Sequence, residues 1–193
     1  TVLGAAPELT ERALRELAPD KRSPLGCVTF QPASPFATAF RDLQGGMSDD
    51  HLVAFIGSLA GEGATTTALC AAVSAAQQGR RVVVVDCDTR RRSLTKALGS
   101  NPDQGVLECC EEPQNWQAYL EEEPETGLHL IPAARMTNPW RTLVASPGLP
   151  VLINLLSENY DLVVLDCPPA LRSGEGVTLA SLARKCIAVT AWD

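Results

Sequence analysis

Ser58-Leu-Ala-Gly61-Glu62-Gly63-Ala64-Thr65-Thr66-Thr67 is a turn of small residues set between two segments of different character. Ahead of it, His51-Leu-Val-Ala-Phe-Ile-Gly57 is a short apolar run, the pattern of a buried strand. Behind it, Thr65 to Gln78 is rich in alanine and closes on Gly79, which predicts a helix ended by a glycine C-cap. Four further runs read as strands: Arg81-Val-Val-Val-Val-Asp86, Leu128-His-Leu-Ile-Pro132, Tyr160-Asp-Leu-Val-Val-Leu-Asp166 and Lys185-Cys-Ile-Ala-Val-Thr190. Near-continuous Val, Ile and Leu, in place of in-out alternation, implies burial on both faces, as in a parallel sheet. Pro150 to Glu158 carries Val151, Leu152, Leu155 and Leu156 at helical spacing, with Asn159 as a stop, and predicts a helix packed on that sheet. The strand, helix, strand order makes the class α/β, a mostly parallel twisted sheet with helices on both faces and right-handed crossovers.

The chain has 193 residues, 45% of them hydrophobic, a size that suits one domain over 1–193 with a lead-in at 1–50 and a core at 51–193. Sixteen Lys and Arg against 23 Asp and Glu leave a net charge of -7, which argues against nucleic acid as a partner. A local basic cluster can still serve a phosphate ligand. No apolar run approaches the roughly 18 residues that span a bilayer, and no signal-like segment opens the chain, so a soluble protein is expected. The cysteines at 27, 70, 87, 109, 110, 167 and 186 form no CxxC pair, and they read as reduced, mostly buried thiols of the cytoplasm. Cys109 and Cys110 are expected at a helix end with one thiol in and one out. In the lead-in, Thr1 to Pro7 is expected as an edge strand, Glu8 to Leu17 as a short polar helix, Lys21 to Ser34 as a loop and Pro35 to Leu43 as a helix. Glu111 to Glu125, with Trp116 and Tyr119, reads as a solvated helix and loop, with a partner surface as the alternative.

Small residues at 58, 60, 61, 63 and 64 let backbone N–H groups converge on phosphate oxygens, while the following helix adds the partial positive charge of its N-terminus. This is the setting of a P-loop. Thr65 falls where a hydroxyl would ligate Mg²⁺, and Thr66 where one would reach the α-phosphate. Two positions depart from G-x-x-x-x-G-K-[ST]: Ser58 replaces the first glycine and Ala64 the lysine. One charge pair at ~4 Å and an effective dielectric of ~20 contributes about 4 kcal/mol, so the missing lysine cripples phosphoryl transfer and leaves the backbone cradle. Asp86-Cys-Asp88-Thr-Arg90-Arg-Arg92 places two carboxylates at the C-terminal rim of the second strand, where ligands of such sheets bind. Leu162-Val-Val-Leu165 ends in Asp166-Cys-Pro-Pro169, a Walker-B-like run whose acid can hold Mg²⁺ through water.

Together, S-x-x-G-E-G-x-T-T, V-V-V-V-D-C-D-x-R-R and Y-D-L-V-V-L-D-C-P-P resemble the cytoplasmic domain of the bacterial tyrosine kinases that regulate capsule and exopolysaccharide export. Supporting stretches are Thr1-Val-Leu-Gly4, Ser34-Pro-Phe-Ala-Thr-Ala-Phe-Arg41 and Ile131-Pro-Ala-Ala134 through Asn138-Pro139 to Ser146. The resemblance implies a P-loop domain related to partition and septum-site ATPases, ATP or ADP with Mg²⁺ as cofactors, and tyrosine autophosphorylation. It also implies a transmembrane co-polymerase region or protein as partner, assembly into a homo-oligomer and a place at the inner face of the plasma membrane. By position, Asp86 would be the acid near the attacking hydroxyl and the metal, Asp88 its neighbour, and Asp166 the Walker B metal acid. Gly61, Glu62, Gly63, Thr65 and Thr66 would hold the nucleotide, Ala64 standing where the lysine is expected.

Departures from the family pattern shape the expectation further. The tyrosine-rich C-terminal acceptor tail of such kinases has no counterpart here; Tyr119 and Tyr160 are the tyrosines present. The subunit-contact motif E-x-x-R-x-x-R reads Thr38-x-x-Arg41-x-x-Gln44, Arg92 stands for a proline after the arginine pair, and Glu175-Gly176 stands near a usual Asp-Ala. Ala64 is either the mark of a natural pseudokinase or a lysine-to-alanine knockout. Arg90, Arg91 and Arg92 either replace the missing charge or form a solvated or partner-binding surface. Trp140 either leans over a base or belongs to the core, and His51 and His129 are structural. The other functional classes are a partition-type ATPase switch, which usually carries an extra lysine near the loop start where Gly57 to Ala60 lie here, and a nucleotide-free scaffold.

Overall fold

The computed structural model describes residues 4–7, 9, 11–136, 138, 140–172 and 174–191. Three helices precede the sheet: α1 (Glu11–Arg15), α2 (Pro24–Phe30) and α3 (Pro35–Gly45). There follow β1 (Leu52–Gly57), α4 (Ala64–Gln77), β2 (Val82–Asp86), α5 (Ser93–Ala97), α6 (Val106–Cys109), a 3₁₀ helix over Pro113–Tyr119 and β3 (Glu121–Glu123). The order closes with β4 (Leu128–Ile131), α7 (Leu149–Asn159), β5 (Leu162–Asp166), α8 (Gly174–Ala180) and β6 (Lys185–Val189). The sheet runs β3-β4-β2-β5-β1-β6, and all neighbours are parallel except β3 with β4.

The valine runs are buried on both sides, as their composition implies. Val53, Phe55, Val82, Val84, Leu162 and Val164 face a layer built from α2, α3 and α4. Their alternates Ala54, Ile56, Val83, Val85, Val163 and Leu165 face a layer from α6, α7 and α8 together with Trp116. Fully burying a side chain of this size contributes roughly 1.5–3 kcal/mol, so paired layers of this kind supply most of the drive to fold. Gly79, at φ +85°, ends the turn after α4 and sends the chain into β2. α4 thus packs across β5 to join β1 to β2, and the two strands that carry the chemistry end at the same rim.

Several expectations need correction. Lys21 to Ser34 is not a loop: it contains α2, because Ser23 Oγ accepts from the Gly26 amide at 2.9 Å and Pro24 occupies the first turn. The acidic stretch forms the 3₁₀ helix and then β3, whose antiparallel hydrogen bonds come from β4; its charged side chains suit an edge strand. Trp116 is buried, edge-on to Tyr160. Cys109 and Cys110 are both buried, since the start of α7 packs on the Cys110 carbonyl, so neither thiol points outward. On α7, Val151 is exposed and Ile153 takes the core position with Leu152 and Leu156. Of the expected first strand and polar helix, Thr1, Val2, Leu3, Glu8 and Thr10 lie outside the described residues; residues 4–7 form no strand, and α1 spans Glu11–Arg15.

Close packing behind the rim rests on Gly176, where a Cβ would lie 2.0 Å from the Pro168 carbonyl oxygen, just beyond Asp166. Gly176→Ala is therefore expected to lose about 2 kcal/mol or more in urea unfolding, whereas Gly45→Ala, which meets nothing within 4 Å, should be neutral or slightly stabilising. Equal midpoints for the two variants would contradict this packing.

Candidate functional site

Between β1 and α4 the chain turns twice through the left-handed region, at Gly61 (φ +94°) and Gly63 (φ +88°), a conformation that other residues adopt only with strain. Glu62 Oε2 accepts from the Leu59 amide at 2.6 Å and folds the loop on itself. The first amides of α4, from Ala64 onward, have no acceptor one turn back and face outward from the helix end. The loop from Gly57 to Thr66 forms one wall of a cavity of about 300 Å³. Asp88, Arg91 and Ser93 lie on another side, and Cys167 and Pro169 on a third.

The parallel register pairs Asp86 with Asp166, so the two carboxylates end neighbouring strands side by side. Thr65 Oγ1 donates to Asp166 at 2.9 Å (Oδ2) and 3.2 Å (Oδ1), joining the loop to the strand 101 residues further on. Asp86 Oδ2 accepts from the Thr95 amide at 2.9 Å and from its hydroxyl at 2.5 Å, and Asp86 Oδ1 accepts from the Asp88 amide at 3.2 Å. Asp88 Oδ1 in turn accepts from the Arg91 amide at 3.0 Å. Of the three acids, Asp88 lines the cavity, while Asp86 and Asp166 lie buried behind its surface.

Burial pushes the Asp86 carboxyl up to about 6, against the opposing pull of its bonds from Thr95. Burial, followed by the nearby Asp86 charge, raises Asp166 well above the usual carboxylate range, and the Thr65 hydroxyl offsets only part of this. Among the described residues neither acid has a cationic side chain as ion-pair partner. The result is a pair of hard oxygen donors short of positive charge, beside a backbone cradle for anions. Such a donor set fits Mg²⁺ held by one or two carboxylates, a hydroxyl and phosphate oxygens. Among the described residues no three His, Cys, Asp or Glu side chains form a metal site by themselves.

Sequence motifs located Thr65, Asp86, Asp88 and Asp166 but missed Thr95, which follows Asp86 by nine residues inside a short helix. Thr95 Oγ1 also accepts from the Ala133 amide at 2.9 Å, and Arg92 Nε donates to the Ala133 carbonyl at 2.7 Å. Arg92 is thereby buried, at φ +56°, and belongs neither to the cavity nor to a solvated surface. Trp140 is 89% exposed and is not a core residue, and Pro139 beside it lies outside the described residues. His129 Nδ1 pairs with the Tyr160 hydroxyl at 2.5 Å, a structural contact.

Because Asp86 is raised in the folded state, its contribution to stability is present below the unfolded carboxylate value near 4 and is lost as pH rises through about 6. Calorimetry of Mg²⁺-free protein should therefore show Asp86→Asn gaining in Tm relative to wild type between pH 4 and 7; a constant difference would contradict the assignment.

Comparison with known proteins bears on the family and the fold. The family model described as AAA domain matches residues 51–190. The succinoglycan biosynthesis transport protein ExoP of Rhizobium meliloti is 27% identical over 86% of this chain and 22% of its own length. The putative tyrosine-protein kinase EpsB of Ralstonia nicotianae is 25% identical over 92% of this chain and 24% of its own. The chain thus spans about a quarter of the length of these two relatives. In structure, the kinase domain of Escherichia coli tyrosine kinase ETK superposes with a TM-score of 0.84 over 98% of this chain and 77% of that one, at 19% identity. The septum site-determining protein MinD of Pyrococcus horikoshii, complexed with Mg-ADP, gives 0.61 over 72% and 57%, at 21% identity. The chain belongs to the AAA domain family, with a P-loop NTPase-like fold shared with bacterial tyrosine kinase domains and MinD-type ATPases.

Proposed function

We propose that this chain is the nucleotide-binding, kinase-like domain of a polysaccharide-export system, with phosphoryl transfer weakened by Ala64. The hydrogen bond from Thr65 to Asp166, at the base of the glycine cradle, carries this reading. The loop amides from Gly61 to Thr66 would bind the phosphates of ATP or ADP, and Thr65 with Asp166 would hold Mg²⁺, with Asp86 behind them. When bound, the ion neutralises charge on the phosphates and polarises them toward transfer. Asp88 lines the cavity and in this reading would accept the proton of an incoming hydroxyl, whereas Asp86, held by Thr95, would position that segment. The names of two relatives, a succinoglycan biosynthesis transport protein and a putative tyrosine-protein kinase, support the polysaccharide-export and kinase parts of this reading; its setting at the inner face of the plasma membrane, beside a transmembrane co-polymerase region, belongs to the proposal. No helix among the described residues is long and apolar enough to cross a membrane.

Acceptor and assembly differ from the pattern the resemblance implies. Tyr160 is buried and Tyr119 is partly buried against the core, and in this reading the phosphate acceptor lies on another segment or polypeptide. On α3, Gln44 turns inward and donates to the Ala71 carbonyl at 2.6 Å, while Arg41 bonds to Thr38 Oγ1 at 2.8 Å and to the Pro32 carbonyl. These contacts turn the remnant of the subunit-contact motif toward its own chain, and oligomer formation through that helix is expected to be weak.

In the full-length protein, phosphotyrosine formation should be near background with Ala64 in place. Ala64→Lys should tighten Mg-ADP binding, read by isothermal titration, and raise phosphotyrosine formation by about two to three orders of magnitude. Phosphate release without phosphotyrosine in that variant would place the chain with ATP-hydrolysing switches. Substantial kinase turnover by the unaltered protein would overturn the impairment.

A further inference from the structure

Three arginines leave the end of β2 together, and the structure separates their roles. Arg92 is inside, its Nε on the Ala133 carbonyl and its Nη2 on Asn101 Oδ1 at 3.4 Å. Arg90 lies on the exposed surface. Arg91 is half-buried and lines the cavity opposite the loop, and its backbone amide, held by Asp88 Oδ1, fixes the point from which the side chain leaves. No ion pair of its guanidinium is present among the described residues. Among the residues that line the cavity, Arg91 is the one basic side chain and Asp88 the one acid.

The charge balance shows why this matters. A nucleoside polyphosphate brings several negative charges into a cavity backed by Asp86 and Asp166, and the loop position that would carry a lysine is Ala64. Helix and loop amides supply partial charges only. A guanidinium offers a planar fork that binds two phosphate oxygens at once and does not lose its charge when partly desolvated.

We infer that Arg91 supplies from the opposite wall the cation that the loop lacks at Ala64, binding the terminal phosphate of a nucleoside polyphosphate. This rests on the nucleotide-binding reading proposed above. The position differs from that of a loop lysine. Residue 64 opens α4, whereas Arg91 follows Asp88 on the segment that leads into α5. From there Arg91 serves retention of the ligand, and the weakened transfer proposed above rests on Ala64.

Isothermal titration with Mg-ADP and Mg-AMP tests the assignment on the chain, its Arg91→Ala and Arg91→Lys variants, and Arg184→Ala as a control of equal charge at the opposite end of the sheet. Wild type should bind Mg-ADP more tightly than Mg-AMP. Arg91→Ala should weaken Mg-ADP by about tenfold to a hundredfold and narrow that preference by the same factor, with Arg91→Lys recovering part of it and Arg184→Ala matching wild type. In an Ala64→Lys background the same Arg91→Ala change should cost much less, since the loop then carries its own cation. Thermal melting confirms that each variant is folded. If wild type binds Mg-ADP and folded Arg91→Ala binds it equally well, the role of Arg91 is overturned while the nucleotide reading stands. If wild type and Ala64→Lys both fail to bind Mg-ADP at millimolar concentration, the nucleotide reading fails, and this inference with it.

Discussion

Register between two parallel strands governs this molecule. Because β2 and β5 pair with Asp86 opposite Asp166, two carboxylates must end at one height on one rim, and the helix after β1 begins close enough for Thr65 to reach the second of them. A slip of one residue in β5 would turn Asp166 toward the opposite face of the sheet and break its bond to Thr65, and a slip in β2 would do the same to Asp86 and its bonds to Thr95. The valine runs prevent that slip, since both their faces are buried against helices. Packing thus sets the chemistry: the same side chains that fold the sheet also fix the spacing of the acids.

Two buried acids with no cationic partner among the described residues are costly, and the local structure offsets only part of that cost. Thr95 and the Asp88 amide hold Asp86, and Thr65 holds Asp166, but burial still raises both carboxyls. A site in this condition favours the arrival of positive charge, and a metal with polyphosphate brings charge of both signs to a cradle that has acids on one side and amides on the other. Alanine at position 64 is compatible with the fold of the loop, because Gly61 and Gly63 set the backbone path independently of the side chain at 64.

Much of this was legible in the residues because long apolar runs and glycine turns act locally. The β1, β2, β4, β5 and β6 strands and the α4 helix follow from composition and punctuation alone, and so does the placement of Asp86 and Asp166 at strand ends. What stayed hidden depends on contacts far along the chain. β3 is three glutamates whose strand character comes from the open edge of β4, not from any alternation of its own. α2 is set by a serine cap within a stretch rich in loop-forming residues. The arginine run could not be sorted by eye, since the left-handed turn at Arg92 sends that side chain to Ala133 and leaves Arg91 on the cavity. Thr95 carried no motif, and its importance comes from the short helix that returns it beneath Asp86.

A crystal structure of the chain grown with Mg-ADP tests the central claim most directly. The account predicts the diphosphate on the amides from Gly61 to Thr66, with the metal at Thr65 on the side of Asp166. Nucleotide bound elsewhere, or the turn from Gly61 to Thr66 left without phosphate at saturating ligand, would contradict it.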